Sequence, residues 1–89
     1  MAHLTLTIAN AKGLHARASA RFVETVEAFD AHATVRRGGE TVAGDSIMGL
    51  LMLAASKGTT IDIETTGADA DALAAALRTL VEGRFGEES

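Results

Sequence analysis

The stretch Leu4-Thr5-Leu6-Thr7-Ile8-Ala9-Asn10-Ala11-Lys12-Gly13-Leu14-His15-Ala16-Arg17-Ala18-Ser19-Ala20-Arg21-Phe22 decides the fold, because the period of its apolar residues changes midway. Leu4, Leu6 and Ile8 alternate with Thr5 and Thr7, the period of two of a half-buried strand. Asn10-Ala11-Lys12-Gly13 reads as a turn or loop. From Ala16 to about Phe29 the spacing becomes helical. Phe22, Val26 and Phe29 share one face with the small residues Ala18 and Ser19, while Arg17, Arg21, Glu24 and Glu27 lie mostly on the other. Arg21 and Glu24 are spaced to pair at i,i+3.

Working outward, Ala31, Ala33 and Val35 alternate with His32 and Thr34. Arg37-Gly38-Gly39-Glu40 then signals a hairpin, with both glycines free to take positive φ, and Thr41-Val42-Ala43 is the return strand. Asp45-Ser46 caps a short apolar helix from Ile47 to about Ala55, with Lys57-Gly58 as its end signal. Thr60 to Thr65 is a strand that turns Ile61 and Ile63 to one side. Gly67-Ala68-Asp69 leads into a last helix, N-capped by Asp69, striped by Leu73, Leu77, Leu80 and Val81, and ending near Gly83. Residues 86–89 read as a frayed tail. The order is β-α-β-β-α-β-α. Alternation in every strand argues for an antiparallel sheet with one wet face and one face covered by helices. The expected class is α+β, an open-faced two-layer sandwich in a single domain, residues 1–89.

Composition narrows the function classes. There is no Cys, so disulfides, thiolate metal sites and cysteine nucleophiles are excluded. The formal net charge is -4, with no Trp or Tyr and three Phe, which argues against a nucleic-acid interface with its basic face and stacking platforms. No apolar run approaches the roughly 18 residues of a membrane span. Met1-Ala2-His3-Leu4 lacks the features of a signal peptide, so the expected address is cytoplasmic.

Three histidines are present. His3 and His32 fall on strands, opposite the apolar residues, and read as solvent-facing. His15 follows a glycine-containing loop and precedes a helix. The first helical turn offers free N–H groups and the positive end of the macrodipole, so the amides of Ala16, Arg17 and Ala18 form an anion site that also favours neutral, nucleophilic imidazole. Arg17 adds a forked cation that suits phosphate oxygens. On spacing alone two readings stand side by side: His15 as a phosphoryl-accepting nucleophile, and His15 as a plain N-cap. No second His, acidic cluster or Walker-type loop accompanies it, so neither a metal nor any cofactor is expected, nor independent catalysis on a nucleotide.

These residues resemble a known family. Gly13-Leu14-His15-Ala16-Arg17 is similar to the active-site signature of the HPr family, the histidine-containing phosphocarriers of the bacterial phosphotransferase system. Ser46-Ile47-Met48-Gly49-Leu50-Leu51-Met52-Leu53 resembles that family's regulatory serine and the helix after it. Two blocks, correctly separated in a chain of this length, carry the match over nearly its whole extent.

The resemblance implies a four-stranded antiparallel sheet of order 1-4-2-3 with three helices on one face. It implies that His15 accepts phosphoryl on Nδ1 from enzyme I, charged by phosphoenolpyruvate, and passes it to a histidine of an enzyme IIA partner. Arg17 would contact the phosphate and the partner. The chain would then be a carrier rather than an enzyme, expected as a monomer. Ser46 would be a target of an HPr kinase/phosphorylase. Its plainer role, an N-cap, holds either way. Leu50 and Leu53 can fill the one buried stripe of a short helix, leaving Ile47, Met48 and Leu51 near the surface. By resemblance those three form the partner-docking patch, where Met suits several partners.

One departure is Ala18, where most carbohydrate-type members have Pro. Alanine restores an amide and keeps helix propensity. The run His15-Ala16-Arg17-Ala18-Ser19 resembles the nitrogen-related, regulatory branch more than the sugar-uptake branch. The competing expectation is a regulatory protein-binding module controlled through Ser46 without phosphotransfer. A generic ligand-binding domain ranks last, since no polar cluster suggests a small-molecule pocket.

Overall fold

The computed structural model describes residues 1–89 and follows the expected element order. The elements are β1 (Ala2–Thr7), α1 (Ala16–Glu27), β2 (His32–Arg37), β3 (Glu40–Ala43), α2 (Ile47–Met52), β4 (Thr60–Thr66) and α3 (Ala70–Glu82). A short 3₁₀ turn, Arg84–Gly86, follows α3. All strand pairs are antiparallel, in the order β1-β4-β2-β3. The hydrophobic alternation sets the register: Leu4 opposes Ile63, Leu6 opposes Ile61, and Val35 opposes Ile63 from the other side. All five are buried under the helices. The opposite face is wet, and there the cross-strand pair Thr5–Asp62 closes a 2.7 Å hydrogen bond.

Phe22 and Val26 of α1, Leu50 of α2 and Leu73, Leu77 and Val81 of α3 seal the covered face. Each such side chain contributes about 1.5–3 kcal/mol of burial against an extended chain. His3 and His32 are exposed, as expected of their strand faces. No helix is long and apolar enough to cross a membrane.

Several local expectations are corrected. In the hairpin only Gly38 takes positive φ (+59°), so the two-residue loop needs one left-handed residue, not two. α2 stops at Met52, short of Ala55. Leu53 caps it, and Arg37 donates to the Leu53 carbonyl at 3.2 Å. Ala54 then turns left-handed at φ 51°, and Gly58 instead supports the approach to β4 by donating to Ile8. Asp69 stands at the N-cap of α3, but its carboxylate accepts no bond from that helix. It accepts from the Asp30 amide at 2.9 Å and ties two loops together. Arg21 forms no ion pair with Glu24. Its guanidinium donates to the Phe85 carbonyl at 2.5 Å. Phe85 is fully buried, so the segment after α3 belongs to the core.

Candidate functional site

The β1–α1 connection is built around one glycine. Gly13 has φ +65°, and a Cβ there would lie 2.5 Å from the Ala55 carbonyl oxygen and 2.9 Å from Ser56 Cα. Only glycine meets both demands. Its close approach lets Leu14 donate to Ala55 at 2.9 Å and bury its side chain, which joins this loop to the segment leaving α2. Ser19 locks the turn from inside the helix: its hydroxyl donates to the Leu14 carbonyl and its amide to the His15 carbonyl at 2.8 Å.

His15 therefore falls at the N-cap of α1, with extended backbone (φ -81°, ψ -175°). Its Nδ1 accepts from the Arg17 amide at 3.3 Å. The amides of Ala16 and Ala18 have no hydrogen-bond acceptor, as expected of a first turn. The two readings of His15 thus coincide in one geometry. The cap bond turns Nδ1 toward the first turn of α1, where Ala16 is exposed and Ala18 is buried.

The other ring nitrogen is where the structure adds most. Nε2 lies 2.5 Å from Oε2 of Glu87, whose other oxygen accepts from Asn10 Nδ2 at 3.0 Å. A nitrogen that accepts an amide N–H carries a lone pair, so the proton of the neutral ring sits on Nε2 and is donated to Glu87. The Glu87 carboxyl lies below the usual carboxylate range. The leading cause is the Asn10 hydrogen bond, then the His15 hydrogen bond, with the His15 and Lys12 charges adding to them against desolvation. The side chains of His15 and Glu87 are 26% and 15% exposed, so the pair is shielded yet reachable.

The tail is thus not frayed at Glu87. Buried Phe85 anchors it, and it crosses the entrance of α1. Glu87, Asn10 and Phe85 were all missed as site elements in the sequence. Their one legible signal is a phenylalanine just past the Gly83 stop, which implies a further turn back to the core.

Beside the ring lies a polar cleft of about 330 Å³, lined by Lys12, Arg17, Arg21, Gly86, Glu87, Glu88 and Ser89. Arg17 is exposed and forms no ion pair, so its guanidinium is available to an incoming anion.

Ser46 caps α2 with its hydroxyl, accepting from the Gly49 amide at 3.0 Å. Leu50 and Leu53 are buried. Ile47, Met48 and Leu51 are exposed by 41%, 70% and 36%, and Met52 by 68%. Met52 extends the apolar surface beyond the three positions named from sequence. α2 packs on α1 and β3, so the apolar surface and the His15 loop belong to neighbouring elements.

Known proteins share this fold. Residues 3–83 match the family described as PTS HPr component phosphorylation site. The phosphocarrier protein HPr of Neisseria meningitidis is 48% identical over 83 residues, 93% of each chain. The phosphocarrier protein NPr of Shewanella violacea is 40% identical over 84 residues, 94% of this chain and 92% of the relative. The crystal structure of HPr-C-His from Thermoanaerobacter tengcongensis superposes with a TM-score of 0.95 at 37% identity, covering 100% of both chains.

Proposed function

The chain belongs to the HPr family of phosphotransferase-system phosphocarriers, and from that premise we propose that His15 is its phosphoryl acceptor and donor. One observation carries the reading: Nδ1 of His15 holds its lone pair toward the amides of α1 while Nε2 is engaged by Glu87. Attack by Nδ1 places the phosphoryl oxygens where the amides of Ala16, Arg17 and Ala18 can donate, at the positive end of a twelve-residue helix. The Arg17 bond to Nδ1, at 3.3 Å, is long and costs little to exchange for one to phosphate. The Arg17 guanidinium then compensates charge from the cleft.

In this reading the phosphoryl group arrives from phosphorylated enzyme I and leaves to an enzyme IIA histidine, in the cytoplasm, with the chain a carrier rather than a catalyst. A monomer presents all of the required surface. Ile47, Met48 and Leu51, joined by Met52, are the docking patch, since they are large apolar side chains left in water beside the site. A phosphate on Ser46, added by an HPr kinase, would put charge at the edge of that patch and discourage acidic partners. Relatives carry both names, HPr at 48% and NPr at 40% identity, and the run around Ala18 is what supports the nitrogen-related branch for this chain.

Incubation with enzyme I and phosphoenolpyruvate is expected to put one acid-labile, base-stable phosphoryl group on the wild-type chain and none on His15→Ala. Equal labelling of His15→Ala sinks the assignment.

A further inference from the structure

A carboxylate can only accept hydrogen bonds, and this decides what Glu87 does to the ring it touches. Its orientation is imposed from the far side. Asn10 is fully buried, and its Nδ2 donates both to the Gly13 carbonyl at 2.8 Å and to Oε1 of Glu87 at 3.0 Å. Turning the Asn10 amide over would set its oxygen against two acceptors, so the donor face is fixed toward Glu87. The Asn10 Oδ1 is left without a partner, a cost that an ordinary turn residue would avoid.

The chain behind Glu87 is equally committed. Arg84, Phe85 and Gly86 are consecutively left-handed, at φ 58°, 55° and 78°. Two non-glycine residues in that region are strained, and the full burial of Phe85 offsets the strain. The Arg21 bond to Phe85 and the 2.9 Å bond from the Glu87 amide to Arg84 complete the strap.

We propose that Glu87 is a positioning residue for phosphoryl transfer: held by Asn10 and the Phe85-anchored strap, it keeps the proton of His15 on Nε2 and so keeps Nδ1 the nucleophile. The proposal rests on His15 being the phosphoryl acceptor and adds how its ring is prepared. On arrival, the Nδ1 lone pair forms the N–P bond as the phosphorus bond to the donor breaks, that electron pair leaving with the donor. No proton moves. The ring becomes a phosphoryl-imidazolium whose Nε2–H is donated to the Glu87 carboxylate, and opposite charges face each other. On departure, the N–P electron pair returns to Nδ1, and the ring leaves as neutral imidazole. Without the Nε2 proton it would have to leave as an imidazolide anion, a far poorer leaving group. One carboxylate thus serves both half-transfers. The other charges at this entrance are Lys12, Arg17, Arg21 and Glu88, all in the adjoining cleft. The segment from α2 contributes Ala55 and Ser56, which do not titrate.

The test is Glu87→Gln, which keeps the shape and the amide bond to Arg84. The Asn10 donor would draw the glutamine oxygen and turn its NH₂ toward His15, so Nε2 would have to accept. The proton would then shift to Nδ1, where it meets the Arg17 amide, and the ring has no arrangement that satisfies both neighbours. Ring ¹⁵N shifts of the neutral histidine are expected to show the Nε2–H form in the wild type. In Glu87→Gln the ratio of Nε2–H to Nδ1–H should fall by roughly tenfold or more. Turnover as a substrate of enzyme I should fall by about tenfold at unchanged KM, since no docking residue is altered. Glu87→Asp, still an acceptor, should keep the Nε2–H form.

An unchanged ring in Glu87→Gln overturns the proposal. So does a shifted ring with unchanged turnover. If neither protein is phosphorylated, the assignment of His15 fails. If both are phosphorylated at one rate, only the role of Glu87 fails.

Discussion

The entrances of α1 and α2 use the same capping physics for different ends. Each N-cap side chain, His15 or Ser46, accepts one backbone N–H, from Arg17 at 3.3 Å and from Gly49 at 3.0 Å. Their surroundings are opposite. His15 pairs with Glu87 beside a polar cleft of mixed charge, whereas Ser46 precedes the exposed apolar residues Ile47, Met48, Leu51 and Met52. The difference follows from the side chains. A hydroxyl that caps a helix accepts from that helix and can turn its own O–H to water. An imidazole has a second nitrogen that must find a partner elsewhere, and here the tail supplies it.

The largest expected effect separates the two entrances outright. His15→Ala should abolish phosphoenolpyruvate-dependent labelling, while Ser46→Ala should leave it intact. If labelling dropped in both, the entrances would be coupled rather than distinct.

Next is the anchor that brings the tail to one entrance only. Phe85→Ala empties a fully buried aromatic site and should lower unfolding free energy by about 3–5 kcal/mol in urea titration. A loss under about 1 kcal/mol would show that the strap lies on the core rather than in it.

Ser46→Ala removes a cap from a six-residue helix and should cost about 1 kcal/mol in the same titration. No loss at all would mean that the packing of Leu50 alone holds α2.

The smallest effect is the response to acid. Because the folded Glu87 carboxyl lies below its ordinary value, its contribution is present above the ordinary carboxylate range. That contribution is lost as pH falls through the depressed value. The Glu87 and His15 side-chain resonances should change together there, with little change in global stability, since the pair is near the surface. A Glu87 carboxyl that titrated at or above the ordinary range would contradict the geometry.

The elements were legible where one local pattern met one local need. Leu4, Leu6 and Ile8 show a strand by alternation, and Phe22 and Val26 show a helix by spacing, because each period matches a backbone geometry. Gly13 and Ser46 were legible for the same reason. α2 was read three residues too long because its apolar run continues to Ala55, past the point where Ala54 turns left-handed. Asp69 was read as a cap because its position suits one, but the nearby Asp30 amide claims its carboxylate.

By itself, the sequence determined the order of elements, the buried face of each, and a histidine at the entrance of a helix. Those depend on interactions within a few residues, which repeat with the period of the backbone. The tertiary structure decided which partner the second nitrogen of that histidine meets. Glu87 is 72 positions from His15 and Asn10 is 77 from Glu87. No periodicity links such residues. They meet because the buried Phe85 turns the chain back across α1, and a hydrogen bond depends on where atoms end up rather than on their separation along the chain.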